Sequence, residues 1–218
     1  MATITCGPLT LVHMTFSQTI TVAITGASGM PYALRLIECL LAANCRVYVA
    51  ASQVAAIVAK QEMNVTLPAR AQELQDFLIQ HFNAQADQLH VFGREEWFAP
   101  IASGSNPPDA MVVCPCTMGT LASIAAGLAD KLIERAADVV IKEGRKLILV
   151  PRETPFSPIH LENMLKLARL GVVILPANPG FYHHPQSVQD LVDFVVARVL
   201  DQLAVPHQLL PRWGETES

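Results

Sequence analysis

The sequence predicts a single-domain α/β protein, a parallel sheet with helices on both faces, and three observations predict it. From residue 20 onward, short runs of β-branched and apolar residues alternate with longer amphipathic stretches, the pattern of strands returned by helices. Two of the short runs end in turns of glycine and small hydroxyl residues that open directly into helical periodicity, at Gly26-Ala27-Ser28-Gly29 and at Thr117-Met118-Gly119-Thr120. The chain of 218 residues is half apolar, a one-domain length with enough material for a substantial core.

Residues 1–19 carry no periodicity and include Met14, so they are expected to be a disordered, dispensable extension before a folded domain over 20–205. The first strand starts at Ile20 and ends in the Gly26 to Gly29 turn, with a helix over 30–43 behind it. Glycine tolerates positive φ and lets a ligand approach the backbone, and the first N–H groups of a helix have no internal partner. Such a turn is a natural phosphate seat. Ser28 can cap the helix or put its hydroxyl on the phosphate; a plain turn that binds nothing would read the same.

A strand over 46–50 follows, and at its end stands Ser52 rather than an acid. A dinucleotide fold places Asp or Glu near this point to hold a ribose hydroxyl and uses G-x-G-x-x-G. Neither is present. The T-G-x-x-x-G-x-G variant begins at Thr25-Gly26 but meets Tyr32 where its last glycine belongs, and no tyrosine is followed four residues on by lysine. These absences disfavour a nicotinamide oxidoreductase. A mononucleotide such as FMN fits better.

Helices are predicted over 53–63, with Glu62 near the end, and over 69–82, before a short strand at 89–92. The irregular segment 97–108 contains Ser103-Gly104-Ser105-Asn106 and three prolines, and reads as a functional loop or as a connector. A strand over 110–114 leads into the second turn, Pro115 to Thr120. Two such turns at the carboxyl ends of neighbouring strands face one crevice, where a flavin needs several donors. Helices over 120–126 and 132–143 follow, the second carrying Arg135 and Lys142.

The strand at 146–150 ends in Pro151-Arg152-Glu153-Thr154-Pro155. A charged pair between prolines at a strand end belongs to a site or is a rim ion pair of little weight. A helix over 160–170 and a strand over 172–175 bring the chain to Pro179-Gly180-Phe181-Tyr182-His183-His184-Pro185. Ser187 and Asp190 form a capping-box arrangement for the last helix, whose stripe of Val188, Leu191, Val192, Val195, Val199 and Leu203 has Arg198 at its edge. The tail over 206–218, with Leu209, Leu210 and Trp213, is too apolar for a free end and is expected to dock on a neighbouring subunit.

Composition excludes several classes. The net charge is −4 with no Lys/Arg cluster, which argues against nucleic-acid binding. Five cysteines at 6, 39, 45, 114 and 116 lack CxxC spacing, which fits a reducing compartment, with Cys114 and Cys116 as buried strand-end thiols. No run is long enough to span a membrane and no signal peptide is evident, so a soluble, cytoplasmic protein is expected. The apolar surplus points to subunit interfaces.

The stretches TGASGMPYALRL, ASGS, CPCTMGTLA, ERAADVVIKE, LVPRETPFSPIHLENML and PGFYHHPQS stand in the order and spacing of the flavin prenyltransferases. The chain resembles these UbiX/Pad-type enzymes from Ile20 to Gly214. The resemblance implies a flavodoxin/Rossmann-like fold and a homo-oligomer, usually a dodecamer. The implied reaction joins the dimethylallyl group of dimethylallyl monophosphate to N5 and C6 of reduced FMN and releases phosphate. The prenylated FMN then serves a UbiD-type decarboxylase of the ubiquinone pathway. FMN contacts carry over to Gly26, Ala27, Ser28, Ser52, Thr117, Met118, Gly119, Thr120 and Arg152, and prenyl-phosphate contacts to Tyr182 and Arg198 with Lys142 beside them. The ASGS motif adds Ser103 and Gly104.

The residue chemistry agrees with this. Loss of phosphate from an allylic carbon leaves charge on both fragments. Lys142 and Arg198 can hold the anion, Tyr182 can donate to it, and Glu153 can relay a proton. Glu62 is a further family-matched acid. Trp97 and Trp213 can wall an allylic cation with their ring faces or serve only in packing. His183 and His184 are adjacent and so do not converge on one ion, and no metal is expected. Gly144-Arg145-Lys146 stands where the family commonly has two arginines and a proline. A cysteine-decarboxylase-type flavoenzyme and a non-catalytic flavin carrier are the alternatives; the first lacks its histidine between Ser52 and Lys60, and the second has no use for Lys142, Tyr182 and Arg198.

Overall fold

Six parallel strands form one sheet in the computed structural model, which describes residues 15–85 and 87–211. They are β1 (Thr19–Ile24), β2 (Arg46–Ala51), β3 (Leu89–Phe92), β4 (Ala110–Cys116), β5 (Lys146–Pro151) and β6 (Val173–Ile174). Their order is β3-β2-β1-β4-β5-β6, the doubly wound arrangement in which the chain reverses direction across the sheet between β1 and β4. The helices are α1 (Met30–Ala42), α2 (Gln53–Met63), α3 (Ala71–Phe82), α4 (Met118–Ala126), α5 (Leu132–Lys142), α6 (Pro158–Arg169) and α7 (Val188–Leu203).

Side-chain alternation along the strands creates two cores. Val112, Ile148, Val22 and Val49 pack towards α1 and α7. Met111, Val113, Leu147 and Leu149 face the other way, towards α4, α5 and α6. The helices therefore cover both faces, as the alternation of strand and helix patterns predicts. Arg35 on α1 grips Asp193 on α7 through two guanidinium bonds, at 2.8 and 3.1 Å, and locks these helices together.

The observed elements depart from expectation in a few places. β4 continues through Pro115 to Cys116 instead of stopping at Cys114, because the buried Thr25 hydroxyl donates to the Pro115 carbonyl at 2.7 Å and accepts the Thr117 N–H at 2.9 Å. The segment after β3 is anchored by a 3₁₀ turn, Pro100–Ala102, whose Ile101 lies in the second core. Residues 1–14 of the expected disordered extension lie outside the described residues; Ser17 is ordered, its N–H donating to the Asn44 carbonyl at 3.0 Å. Trp213 also lies outside them. Residues 206–211 fold back along their own α7, with Leu209 packed on the first core.

Candidate functional site

The carboxyl ends of β1 and β4 adjoin at the point where the strand order reverses, and both predicted turns lie there. Thr25 staples them together through its bonds to Pro115 and Thr117. A threonine before the glycine was a visible signal in the sequence, but its partners ninety positions away were not.

The first turn is built differently from its sequence expectation. Gly29, at φ 127°, is the N-cap of α1 and makes no side-chain cap. Ser28 is exposed and is not the cap. Instead the Glu62 carboxylate, from the far end of α2, accepts the Gly29 N–H at 3.0 and 3.1 Å and the Met30 N–H at 2.8 Å. The helix end that a phosphate would use is thus filled by the protein's own anion. The N–H groups of Gly26, Ala27 and Ser28 have no protein acceptor among the described residues, so the anion-binding backbone of this turn lies one step earlier than the helix terminus. Close packing sets this turn: a Cβ on Gly26 would lie 2.7 Å from the Val54 Cβ of α2. Tyr32 covers Gly29, where an added Cβ would meet the ring at 2.8 Å; burial, then Cys114 and Glu62, raise its phenol pKa above the ordinary tyrosine value.

The other two helix starts are conventionally capped. Ser52 caps α2 by accepting the Ala55 N–H at 3.3 Å, and its own N–H donates to Ile24 at 2.9 Å, placing it beside the end of β1. Thr117 caps α4, accepting the Thr120 N–H at 3.2 Å while its hydroxyl meets that of Thr120 at 3.0 Å. Met118 and Gly119 therefore present the orphan N–H groups of α4, and nothing lies within 4 Å of where a Gly119 side chain would start. An open cleft of about 330 Å³ runs from the Ser52 cap to Thr120, lined also by Phe92 and Leu132. Cys114 and Cys116 line the strand end as buried thiols, the first pushed up to about 12 by burial.

Arg152 follows β5 at the same edge. It is exposed, its N–H reaches the Cys116 carbonyl at 3.4 Å, and its guanidinium has no ion-pair partner among the described residues. Arg152 and Glu153 do not form the rim ion pair that is the alternative to a site role; the Glu153 carboxylate accepts the Thr154 N–H at 3.2 Å. Free N–H groups, hydroxyls and an unpaired cation make this crevice suited to an anionic, polyhydroxylated ligand, and a flavin mononucleotide fits that donor set.

The prenyl-phosphate residues divide into two groups. Tyr182 and Arg198 line a second cleft, of about 610 Å³, on the α7 side of the sheet. Tyr182 stands in a cluster of three rings with His183 and Phe194, the last two stacked at 5.2 Å. Lys142 is not beside them. It ends α5 on the opposite face of the sheet, at the edge where the strands begin, and pairs with Glu143. Ser103 and Gly104 accompany it: a Cβ on Gly104 would collide with the Lys142 and Glu143 side chains. Trp97 is partly exposed and Phe98 fully so, just ahead of the 3₁₀ turn. The sequence could not show this division, since it depends on which face each crossover helix takes.

The family model described as Flavoprotein matches residues 10–200. The flavin prenyltransferase UbiX of Pseudomonas aeruginosa is 57% identical over 202 residues, covering 93% of this chain and 97% of that protein. A crystal structure of AnUbiX (PadA1) in complex with FMN and dimethylallyl pyrophosphate superposes with a TM-score of 0.80 at 38% identity, covering 92% of this chain and 99% of that one. The crystal structure of a dodecameric FMN-dependent UbiX-like decarboxylase from Escherichia coli O157:H7 gives 0.77 at 45% identity, covering 89% and 98%. By fold, crevice and sequence, the chain belongs to the UbiX flavin prenyltransferase family of flavoproteins.

Proposed function

We propose that the protein is a transferase that joins the dimethylallyl group of dimethylallyl monophosphate to N5 and C6 of reduced FMN, releasing phosphate. The observation that carries the reading is the stapled pair of turns at the strand-order reversal, with free backbone donors on both sides and Arg152 unpaired at the rim. Such a site binds an anion through fixed N–H groups and a polyol through hydroxyls. FMN would be held by Gly26, Ala27, Ser28, Ser52, Thr117, Met118, Gly119, Thr120 and Arg152, and when bound it supplies the nucleophilic ring atoms.

The chain's own residues handle the leaving group. Tyr182 and Arg198 bind the prenyl phosphate, Arg198 through parallel hydrogen bonds, and Lys142 with Ser103 and Gly104 closes on it from a neighbouring copy. The opposite faces that α5 and α7 occupy support that division, and it requires an oligomer, expected here as a dodecamer. Glu153, beside Arg152 at the end of β5, relays the proton displaced as the ring closes. The product passes to a UbiD-type decarboxylase in the cytoplasm; among the described residues no helix is long and apolar enough to cross a membrane.

Anaerobic incubation of the protein with reduced FMN and dimethylallyl monophosphate, followed by mass spectrometry, tests this. The flavin is expected to gain the prenyl group. An unchanged flavin mass beside an active control enzyme refutes the transferase reading and leaves a flavin-dependent decarboxylase or carrier.

A further inference from the structure

We infer that Asp201 and His207 are positioning residues for Arg198, linking the returning tail of the chain to the anion-binding side of α7. The inference rests on the reading of Arg198 as a phosphate ligand. Arg198 Nη1 donates to Asp201 Oδ2 at 2.7 Å, one turn along the helix. The other carboxylate oxygen, Asp201 Oδ1, meets His207 Nε2 at 3.1 Å. The Leu209 N–H donates to His207 Nδ1 at 3.3 Å. An N–H pointing at Nδ1 makes that nitrogen the acceptor, so the ring proton sits on Nε2 and is donated to Asp201.

The three bonds form one connected network that converges on the Asp201 carboxylate, which accepts from the guanidinium on one side and, on the other, from an imidazole that itself accepts from a backbone amide. Burial increases along it, from a side chain 53% exposed at Arg198 and 44% at Asp201 to 15% at His207. That gradient matters. An exposed i,i+3 ion pair alone leaves both side chains free to swing, but here the carboxylate is held at its second oxygen by a ring that the tail keeps in place. Only Nη1 of the guanidinium is used, so the remaining N–H groups stay available for a phosphate in the cleft that Tyr182, Arg198, Asp201, His207 and Pro211 line. Both Asp201 oxygens are engaged with donors, which also mutes the charge that would otherwise repel an anion there.

The test uses the full-length protein. His207→Phe keeps a packed ring but removes the donor, and it is expected to raise KM for dimethylallyl monophosphate about tenfold, the effect of one misaligned charge-assisted bond. Turnover and FMN affinity should stay within about twofold, and His207→Gln, whose amide restores a donor, should recover most of the KM. In an Arg198→Ala background, His207→Phe should change nothing further. An unchanged KM, or the same loss in both backgrounds, overturns the inference. If His207→Phe lowers the thermal midpoint, Asp201→Asn carries the same expectation. Should the wild-type protein fail to prenylate FMN, titration with inorganic phosphate separates the two ideas. Weaker phosphate binding in His207→Phe than in wild type keeps the positioning role while the transferase reading falls; equal binding removes the role as well.

Discussion

Replacing Glu62 tests the most unexpected contact in the crevice. Its carboxylate accepts the Gly29 and Met30 N–H groups at 2.8 to 3.1 Å, at the start of a helix with no side-chain cap and no acidic residue in its first turn. Losing a capping acceptor costs about 1 kcal/mol, and losing the negative charge at a helix N-terminus costs a further ~0.3–1 kcal/mol. Glu62 is solvent-exposed, so the electrostatic part belongs at the low end. Glu62→Ala should therefore cost about 1.5 kcal/mol locally, roughly a tenfold change in an opening equilibrium. Glu62→Gln keeps one acceptor oxygen and should cost about 0.5 kcal/mol. Amide hydrogen exchange reads this directly: the Gly29 and Met30 amides should exchange about tenfold faster in Glu62→Ala, with a smaller change in Glu62→Gln. Unchanged exchange at both amides would mean that the helix terminus is held by something other than this carboxylate.

Two further outcomes follow from the same geometry. Gly26→Ala puts a Cβ 2.7 Å from the Val54 Cβ, so α2 must shift by a strain of about 1–3 kcal/mol; FMN binding, followed by quenching of flavin fluorescence, should weaken, Val54→Ala should not restore it, and wild-type affinity would refute the packing argument. Cys114 and Cys116 are buried, with thiols whose pKa values burial raises far above the ordinary range, so at pH near 8 iodoacetamide should label neither until the protein is denatured, and labelling of either in the native state, seen by peptide mass mapping, would contradict their burial.

Much of the fold was legible because its signals are local. The alternating strands, the capping box at Ser187 and Asp190, and the buried Cys114 and Cys116 each depend on neighbours within a few residues. The contacts that shape the crevice are not local. Thr25 reaches Pro115, and Glu62 reaches back to Gly29. A sequence motif identifies Gly26 to Gly29 as an anion turn, but which of its N–H groups remain open depends on a carboxylate that arrives from α2. Ser28 reads as a cap only while Gly29 is assumed to lie inside the turn; with Gly29 itself at the N-cap, the Ser28 side chain is released to the solvent side.

The separation of Lys142 from Arg198 has a similar origin and a larger consequence. In a parallel sheet every crossover helix must run back against the strands. α5 therefore starts beside the crevice, where Leu132 lines the cleft with Thr120, and ends at the opposite edge. Eleven residues carry its last residue about 16 Å away, further than a lysine side chain extends. Lys142 cannot turn back into the crevice of its own chain without unwinding the helix. The ASGS loop shares this fate, because it precedes β4 and must deliver the chain to the same edge. A family motif names the residues that meet at a ligand but not the copy that supplies each one; helix direction carries Lys142 away from its own chain's crevice, and Arg198, late in an α7 whose end meets Lys146 at the start of β5, is carried the same way. Under the proposed reaction, a stable monomer would keep the flavin crevice but bring neither Lys142 nor Arg198 to it, so prenyl transfer, read by flavin mass, and subunit assembly, read by size-exclusion chromatography, are expected to be lost together.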